Sequence, residues 1–181
     1  MEHFPRTLSQ EESDAFAERI VAEFKAFGWG LYAVELKSTA RFIGYCGFHN
    51  FSFEAEFSPG VEIGWRLGHA HWHHGYATEA ALACLEYARS KQLLDRIYSF
   101  TSTLNRRSER VMEKIGMERQ GTFKHPLLPE SHPLQKHVLY RIYNRKNEMC
   151  NFQKRNEQIF SFFASFFLLH LRPLKHELNA D

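Results

Sequence analysis

The chain has only three cysteines and six prolines, no charge excess of either sign and no long apolar run, and each of these shortages removes a class of protein. Cys46, Cys84 and Cys150 are odd in number, widely spaced and in no CxxC pattern. That argues against a disulfide framework or a zinc site and fits a reducing cytoplasm. The formal net charge is +2, with Lys and Arg interspersed among Asp and Glu. No concentrated basic face follows from that pattern, so nucleic-acid binding is not expected. The run Ile159 to Leu171 is shorter than the roughly 20 residues a spanning helix needs, and Ser161, Ser165 and His170 interrupt it. No membrane span is expected, and the start of the chain has no secretory pattern of basic, apolar and small residues. What remains is an ordinary composition, 44% hydrophobic and 24% charged over 181 residues, enough for one domain with a sizeable core.

Periodicity and punctuation divide that domain. Ser9 with Glu12 forms a capping box, and Ala15, Ile20, Phe24 and Phe27 continue a helical stripe to Gly28, which predicts a helix near 9 to 27. Leu31 to Lys37 and Phe42 to Phe51 alternate on either side of a Ser-Thr turn, as an antiparallel hairpin does. Val61 to Leu67 is a third strand. A helix rich in small residues is expected from Thr78 to about Leu94, a strand over Arg96 to Ser102, and a second helix from Asn105 to Ile115 closed by Gly116. Pro126, Pro129 and Pro133 make the stretch 117 to 136 read as a loop, and His137 to Tyr143 reads as the last strand. Beyond Arg145 the composition turns polar and charged, then Phe-rich. Phe160, Phe163, Phe167 and Leu171 fit helical spacing, so the tail 146–181 can be a helix that packs on the domain or on a twin, which makes a homodimer possible.

The most specific stretch is His71-Trp-His-His-Gly75-Tyr-Ala77-Thr-Glu-Ala80, between a strand and a helix. A small-residue turn there leaves backbone N–H groups aimed outward at the positive end of the helix, which holds a diphosphate without side-chain charge. The histidines at 69, 71, 73 and 74 could suggest a metal. His71 and His73 flank Trp72 instead of converging, so no metal site is expected.

Four blocks in this order resemble the GNAT superfamily of N-acetyltransferases, closest to its ribosomal-protein (Rim-type) branch. They are Glu62-Ile-Gly-Trp-Arg-Leu67, Trp72-x-x-Gly75-Tyr-Ala-Thr-Glu-Ala80, Asn105-x-x-Ser108-x-x-Val-Met-Glu-Lys-Ile-Gly-Met117, and His125-Pro-Leu-Leu-Pro-Glu-Ser-His-Pro-Leu134 with His137-Val-Leu-Tyr-Arg141. The resemblance covers about Phe4 to Ile142. It implies an α/β fold of the α+β type, a mixed, mostly antiparallel central sheet splayed at its middle, with helices on both faces and an N-acetyltransferase domain over 1–145.

It also implies acetyl-CoA as co-substrate and a primary amine acceptor, a protein N-terminus or a small molecule. The diphosphate turn maps to Trp72, His73, His74, Gly75, Tyr76, Ala77 and Thr78. Ile63, Trp65 and Leu67 would flank the pantetheine arm through main-chain bonds, and Asn105 and Ser108 would meet the cofactor near its reactive end. Acetyl transfer to an ammonium needs a base, donors for an oxyanion and an acid for the departing thiolate. Glu62 is the expected base, against the alternative of a salt-bridged strand carboxylate. Met112 stands where many relatives carry a tyrosine acid, which leaves Ser108 to supply a hydroxyl, against the alternative of a first-turn hydrogen bond. Tyr140 reads as a core or rim tyrosine. The Pro-punctuated loop around His125 to His137 would lie at the mouth of the acceptor cleft.

Two departures from the family pattern stand out. The family's usual first strand is missing, so Leu31 to Lys37 is expected to present a bare sheet edge. The tail matches nothing in the family. Together they keep open a second class of function, a catalytically weak acyl-CoA-binding pseudoenzyme or an interaction protein.

Overall fold

The computed structural model describes residues 8–144 and 169–173. Its elements in chain order are α1 (Gln10–Phe27), β1 (Leu31–Leu36), β2 (Phe42–Phe51), β3 (Gly60–Leu67), a 3-10 turn at His69–His71, α2 (Tyr76–Ser90), β4 (Arg96–Ser102), α3 (Arg106–Lys114), β5 (Glu118–Lys124), β6 (Lys136–Tyr143) and β7 (Leu169–Pro173). The strands form one sheet in the order β5-β6-β4-β3-β2-β1-β7. Among the described strands only β3 and β4 run parallel, and they share a single bridge, Glu62 opposite Tyr98. The expected mixed, mostly antiparallel sheet splayed at its middle is what forms.

Local chemistry accounts for the helices on either side. Ser9 Oγ accepts the Glu12 N–H at 3.3 Å while the Glu12 carboxylate accepts the Ser9 N–H at 2.9 Å, so the capping box starts α1. Phe16, Ile20 and Phe24 of that helix pack on Leu31, Ala33, Phe42 and Tyr45. The neighbouring Val34 points to the opposite face, where it joins Ile63, Ile97 and the α2 residues Ala80, Ala81, Cys84, Leu85 and Ala88. The fully buried alanines let α2 lie close against the sheet.

Three boundaries differ from the sequence reading. Helix α2 starts at Tyr76, two residues early, and stops at Ser90 instead of Leu94. It ends because Gln92 takes a left-handed φ of 54° and Leu93 N–H returns to the Ala88 carbonyl at 2.9 Å, a Schellman closure made without glycine. Within the stretch read as a loop, Glu118–Lys124 is instead an edge strand, paired with β6 from Glu118↔Arg141 to Lys124↔Lys136. Its polar composition gives no strand periodicity, and only the family order, which runs into a strand at Gly116-Met117, implies it; the three prolines do fall in the loop that follows.

The tail brings the third difference. Leu169–Pro173, expected at the end of a helix, is strand β7 and pairs antiparallel with β1 from Tyr32↔Pro173 to Leu36↔Leu169. The edge of β1 is therefore covered, and the remainder of the expected tail helix lies outside the described residues. The Leu169 N–H donates to Glu79 Oε1 at 3.0 Å, and both residues are buried. Removing that acceptor strands a buried donor, which costs about 1–3 kcal/mol. Glu79→Ala is thus expected to lower the unfolding free energy by that amount, and a chain ending at Asn144 to self-associate through the uncovered β1 edge. Urea unfolding and light scattering check the two outcomes.

Candidate active site at the sheet opening

Beyond the one bridge at Glu62 and Tyr98, β3 and β4 separate toward their C-terminal ends. The register with β2 decides what lines the opening. Phe48 N–H bonds the Gly30 carbonyl at 3.0 Å, so the Phe48 main chain faces β1. Its partner Ile63 must then turn its main-chain groups away from β2, and the alternation repeats at Trp65 opposite Cys46 and Leu67 opposite Gly44. The side chains of these three residues meanwhile pack into the core. The structure therefore places Ile63, Trp65 and Leu67 along the opening with their backbone toward it. The Leu67 carbonyl already accepts the Trp72 indole N–H at 2.9 Å.

That indole bond starts the turn at the mouth. His73 has φ 65° and Gly75 φ 83°, both left-handed, and Gly75 is the N-cap of α2 with no side chain capping it. The first-turn N–H groups at Tyr76, Ala77 and Thr78 consequently point outward at the positive end of the helix. A Cβ built on Gly75 meets nothing within 4 Å, so the space before the turn is open. The histidines do not converge. His69 lies tilted against Trp72 with ring centres 4.7 Å apart, while His74 stacks on Tyr76 at 5.3 Å and its Nδ1 lies 2.6 Å from the Trp72 carbonyl oxygen. Among the described residues no group of three or more His, Cys, Asp or Glu is placed to hold a metal ion.

The β4 wall ends in the Asn105 cap of α3. Asn105 Oδ1 accepts the Ser108 N–H at 3.2 Å, and its Nδ2 donates to Thr101 Oγ1 at 3.1 Å and to Ser108 Oγ at 3.0 Å. Ser108 is thus both the first-turn partner of the cap and a hydroxyl held at the end of β4. Across the mouth, the Arg107 guanidinium lies 4.9 Å over the Trp72 ring and ties the two walls together. Sequence reasoning missed Arg107. Its position beside Asn105 was visible, but its contact with a residue 35 positions away was not.

At the apex, Glu62 is 9% exposed, and its Oε2 lies 3.2 Å from His49 Nε2 on the neighbouring strand. The two carbon skeletons are register partners, so backbone pairing makes the contact. Burial pushes the His49 pKa down, but the Glu62 charge and hydrogen bond and the Glu23 charge outweigh it, and the net shift is upward. His49 Nδ1 is buried without a partner. His49 was also missed by sequence reasoning, because a lone His on a strand carries no motif.

Other candidates separate from the opening. Tyr140 is 3% exposed, and its hydroxyl lies 3.2 Å from Glu109 Oε1 and 3.3 Å from Glu113 Oε1 on α3. Burial and those two carboxylates push its pKa up to about 12. It holds β6 to α3 as a core tyrosine. Cys46 and Cys84 are free and buried with sulfurs 4.0 Å apart, and burial raises the Cys46 pKa well above the ordinary thiol value.

Two outcomes follow for these side chains. Tyr140→Phe is expected to cost about 0.5–1.5 kcal/mol in unfolding experiments and to leave turnover intact, since it removes one hydrogen bond in the core. Burial and the neighbouring His137 hold His125 neutral, with its pKa lowered to about 4 against an unfolded value of 6.5. The unfolded chain binds the extra proton first, so stability is full above pH 6.5 and falls as the pH drops toward 4. The drop in melting temperature between pH 7 and pH 5 should be smaller for His125→Phe.

A family model described as an acetyltransferase (GNAT) domain matches residues 1–118. Among curated proteins, the uncharacterized protein YkkB of Bacillus subtilis is 36% identical over 100 residues, 55% of this chain and 57% of its own length. The uncharacterized N-acetyltransferase YnaD of the same organism is 35% identical over 124 residues, 68% of this chain and 69% of its own. The chain thus spans little more than half the length of the first of these relatives. Among solved structures, an acetyltransferase of the GNAT family from Bacillus anthracis is 31% identical with a TM-score of 0.61, covering 80% of this chain and 81% of that one. The yncA structure from Salmonella typhimurium, described with its cofactor acetyl-CoA, is 15% identical with a TM-score of 0.60 over 78% of this chain and 77% of that one, a likeness of fold alone. With its family model matched over most of the chain, this protein belongs to the GNAT family of acetyltransferases.

Proposed function

We propose that the chain transfers the acetyl group of acetyl-CoA to a primary amine by direct attack in a ternary complex. The observation that carries this reading is the one-bridge opening between β3 and β4, with Glu62 at its apex and an uncapped helix N-terminus at its mouth. The residues fit such a cofactor. Trp72, His73, His74, Gly75, Tyr76, Ala77 and Thr78 form a turn whose backbone N–H groups suit a diphosphate, and the space in front of Gly75 is open. The main chain of Ile63 and Trp65 suits the amides of a pantetheine arm, as one more strand would. When bound, acetyl-CoA supplies the activated acyl group as a thioester.

The chain's own residues supply the rest. Glu62 takes the proton from the acceptor ammonium, directly or through a water. His49 is a positioning residue, holding the Glu62 carboxylate from the next strand. Asn105 fixes Ser108 Oγ at the end of β4, and that hydroxyl is the donor for the leaving thiolate. Buried Cys46 and Cys84 are unsuited to carry an acyl group, which favours direct attack. Similarity of the four sequence blocks to the Rim-type branch supports a place near it, and the acetyl-CoA bound to yncA supports the co-substrate.

The test begins with titration calorimetry. Acetyl-CoA is expected to bind at micromolar affinity to the native chain and to Gly75→Asn, since asparagine tolerates a left-handed φ. Gly75→Glu, which sets a negative charge before the turn, should lose binding. Glu62→Gln should keep the affinity while lowering kcat about 100-fold or more, and His49→Asn should shift the acid limb of the pH–rate profile. If the Glu62→Gln chain matched the native turnover, the assignment of the base would fall. Binding without turnover of any amine would leave an acyl-CoA-binding pseudoenzyme.

A further inference from the structure

We infer that the acceptor is a small primary amine carried on a compact aromatic or branched apolar body, its ammonium at Glu62 and its body on a wall of Phe53, Phe57, Phe100, Phe123, His125 and His137. This rests on the reading of Glu62 as the base, and it adds the chemistry of the acceptor.

Strand register puts these groups on one face of the sheet. Glu62 and Tyr98 are bridge partners and share a face, and Phe100 follows Tyr98 by two residues. His137 is opposite both Ser102 and Phe123, which extends the same face across β6 to β5. The rings form a continuous surface. Phe53 lies 5.5 Å from Phe100 and 4.8 Å from His125, Phe57 lies 4.9 Å from Phe123, and His125 lies 4.9 Å from His137. Beneath them, Phe51 and Tyr98 are each 6% exposed and act as the base of the cluster. The six wall residues are only half-buried, so part of each ring remains open to a ligand.

The wall selects by what it carries and what it has little of. Burial lowers the pKa of both imidazoles, and for His125 the neighbouring His137 lowers it further, so near pH 7 they add no cation to oppose an ammonium. Glu62 brings a carboxylate to this face, and its charge raises the His137 pKa against the burial that lowers it. An ammonium beside Glu62 also meets aromatic faces, which attract cations. Polar partners for a longer acceptor are scarce, because the loop uses them itself. The Leu127 N–H donates to His125 Nδ1 at 3.3 Å, and His137 Nδ1 lies 3.0 Å from the Gln135 carbonyl oxygen. A peptide N-terminus would press successive amides against phenylalanine rings and leave them unpaired, whereas an arylalkylamine has one polar end and one apolar body.

The experiment measures thiol release by the full chain with saturating acetyl-CoA and four acceptors: 2-phenylethylamine, tryptamine, butane-1,4-diamine and the tripeptide Ala-Gly-Ser. The arylalkylamines are expected to exceed the diamine and the tripeptide in kcat/KM by about 100-fold or more. Phe100→Ala and the milder Phe123→Leu, each first checked for a native-like melting temperature, should raise KM for 2-phenylethylamine about 10-fold or more without changing the acetyl-CoA affinity. Binding of 2-phenylethylamine without acetyl-CoA, followed by saturation-transfer NMR, should weaken in the same variants. Preference for the tripeptide or the diamine overturns the inference, as does binding of acetyl-CoA with turnover of none of the four. Failure to bind acetyl-CoA at all overturns instead the reading on which it rests.

Discussion

One parallel bridge governs this molecule. Every other neighbouring pair of strands is antiparallel with an extended register, whereas β3 and β4 meet only at Glu62 and Tyr98. Past that point each strand is held by its other neighbour, β3 by β2 and β4 by β6, so the two can separate without losing their own ladders. Backbone groups left along the gap need partners. A ligand that lies in the gap as an extra strand satisfies them, and the strand that supplies the gap also places Glu62 at its closed end.

Both walls of the gap end in the same device, a parallel strand running into a helix N-terminus. Strand β3 leads through the Trp72 to Gly75 turn into α2, and β4 leads through Asn105 into α3. Because the strands are parallel, both helix starts lie at one end of the sheet, and the contact of Arg107 with Trp72 joins them. The two starts differ in one respect that suits them to different tasks. Asn105 caps α3 with its own side chain, whereas Gly75 leaves α2 uncapped, with its donors available to an anion.

The two faces of the sheet are equally distinct. On one, α2 and α3 bury Ile63, Ile97, Met112 and Tyr140 in a closed core. On the other, α1 covers only the β1–β2 side, and Glu62 stands between that helix and an aromatic surface. Period-two alternation along β3 decides which residue faces which side, so Glu62 and Ile63, adjacent in the chain, belong to different environments.

Much of this was legible in the sequence because it is local. The Ser9–Glu12 box, the αL glycine after α1, the small-residue turn at Gly75 and the Asn105 cap are short patterns whose conformations follow from the residues themselves. The α/β class and the candidate residues from Glu62 to Ser108 could be written down from those patterns and from resemblance. Other features had no local signal. His49 meets Glu62 only through the β2–β3 register, and Arg107 meets Trp72 only because two parallel strands end side by side. Strand β5 is too polar to announce itself, and Phe53, Phe100 and Phe123 form a wall only once three separate stretches share a sheet face. Leu169–Pro173 becomes a strand because β1 offers an edge of unpaired backbone groups, a demand made by the sheet and not by the tail's own periodicity. The sequence by itself determined the turns and caps, where a few neighbouring atoms set the backbone. Tertiary structure decided the partners, because strand register brings distant residues within reach.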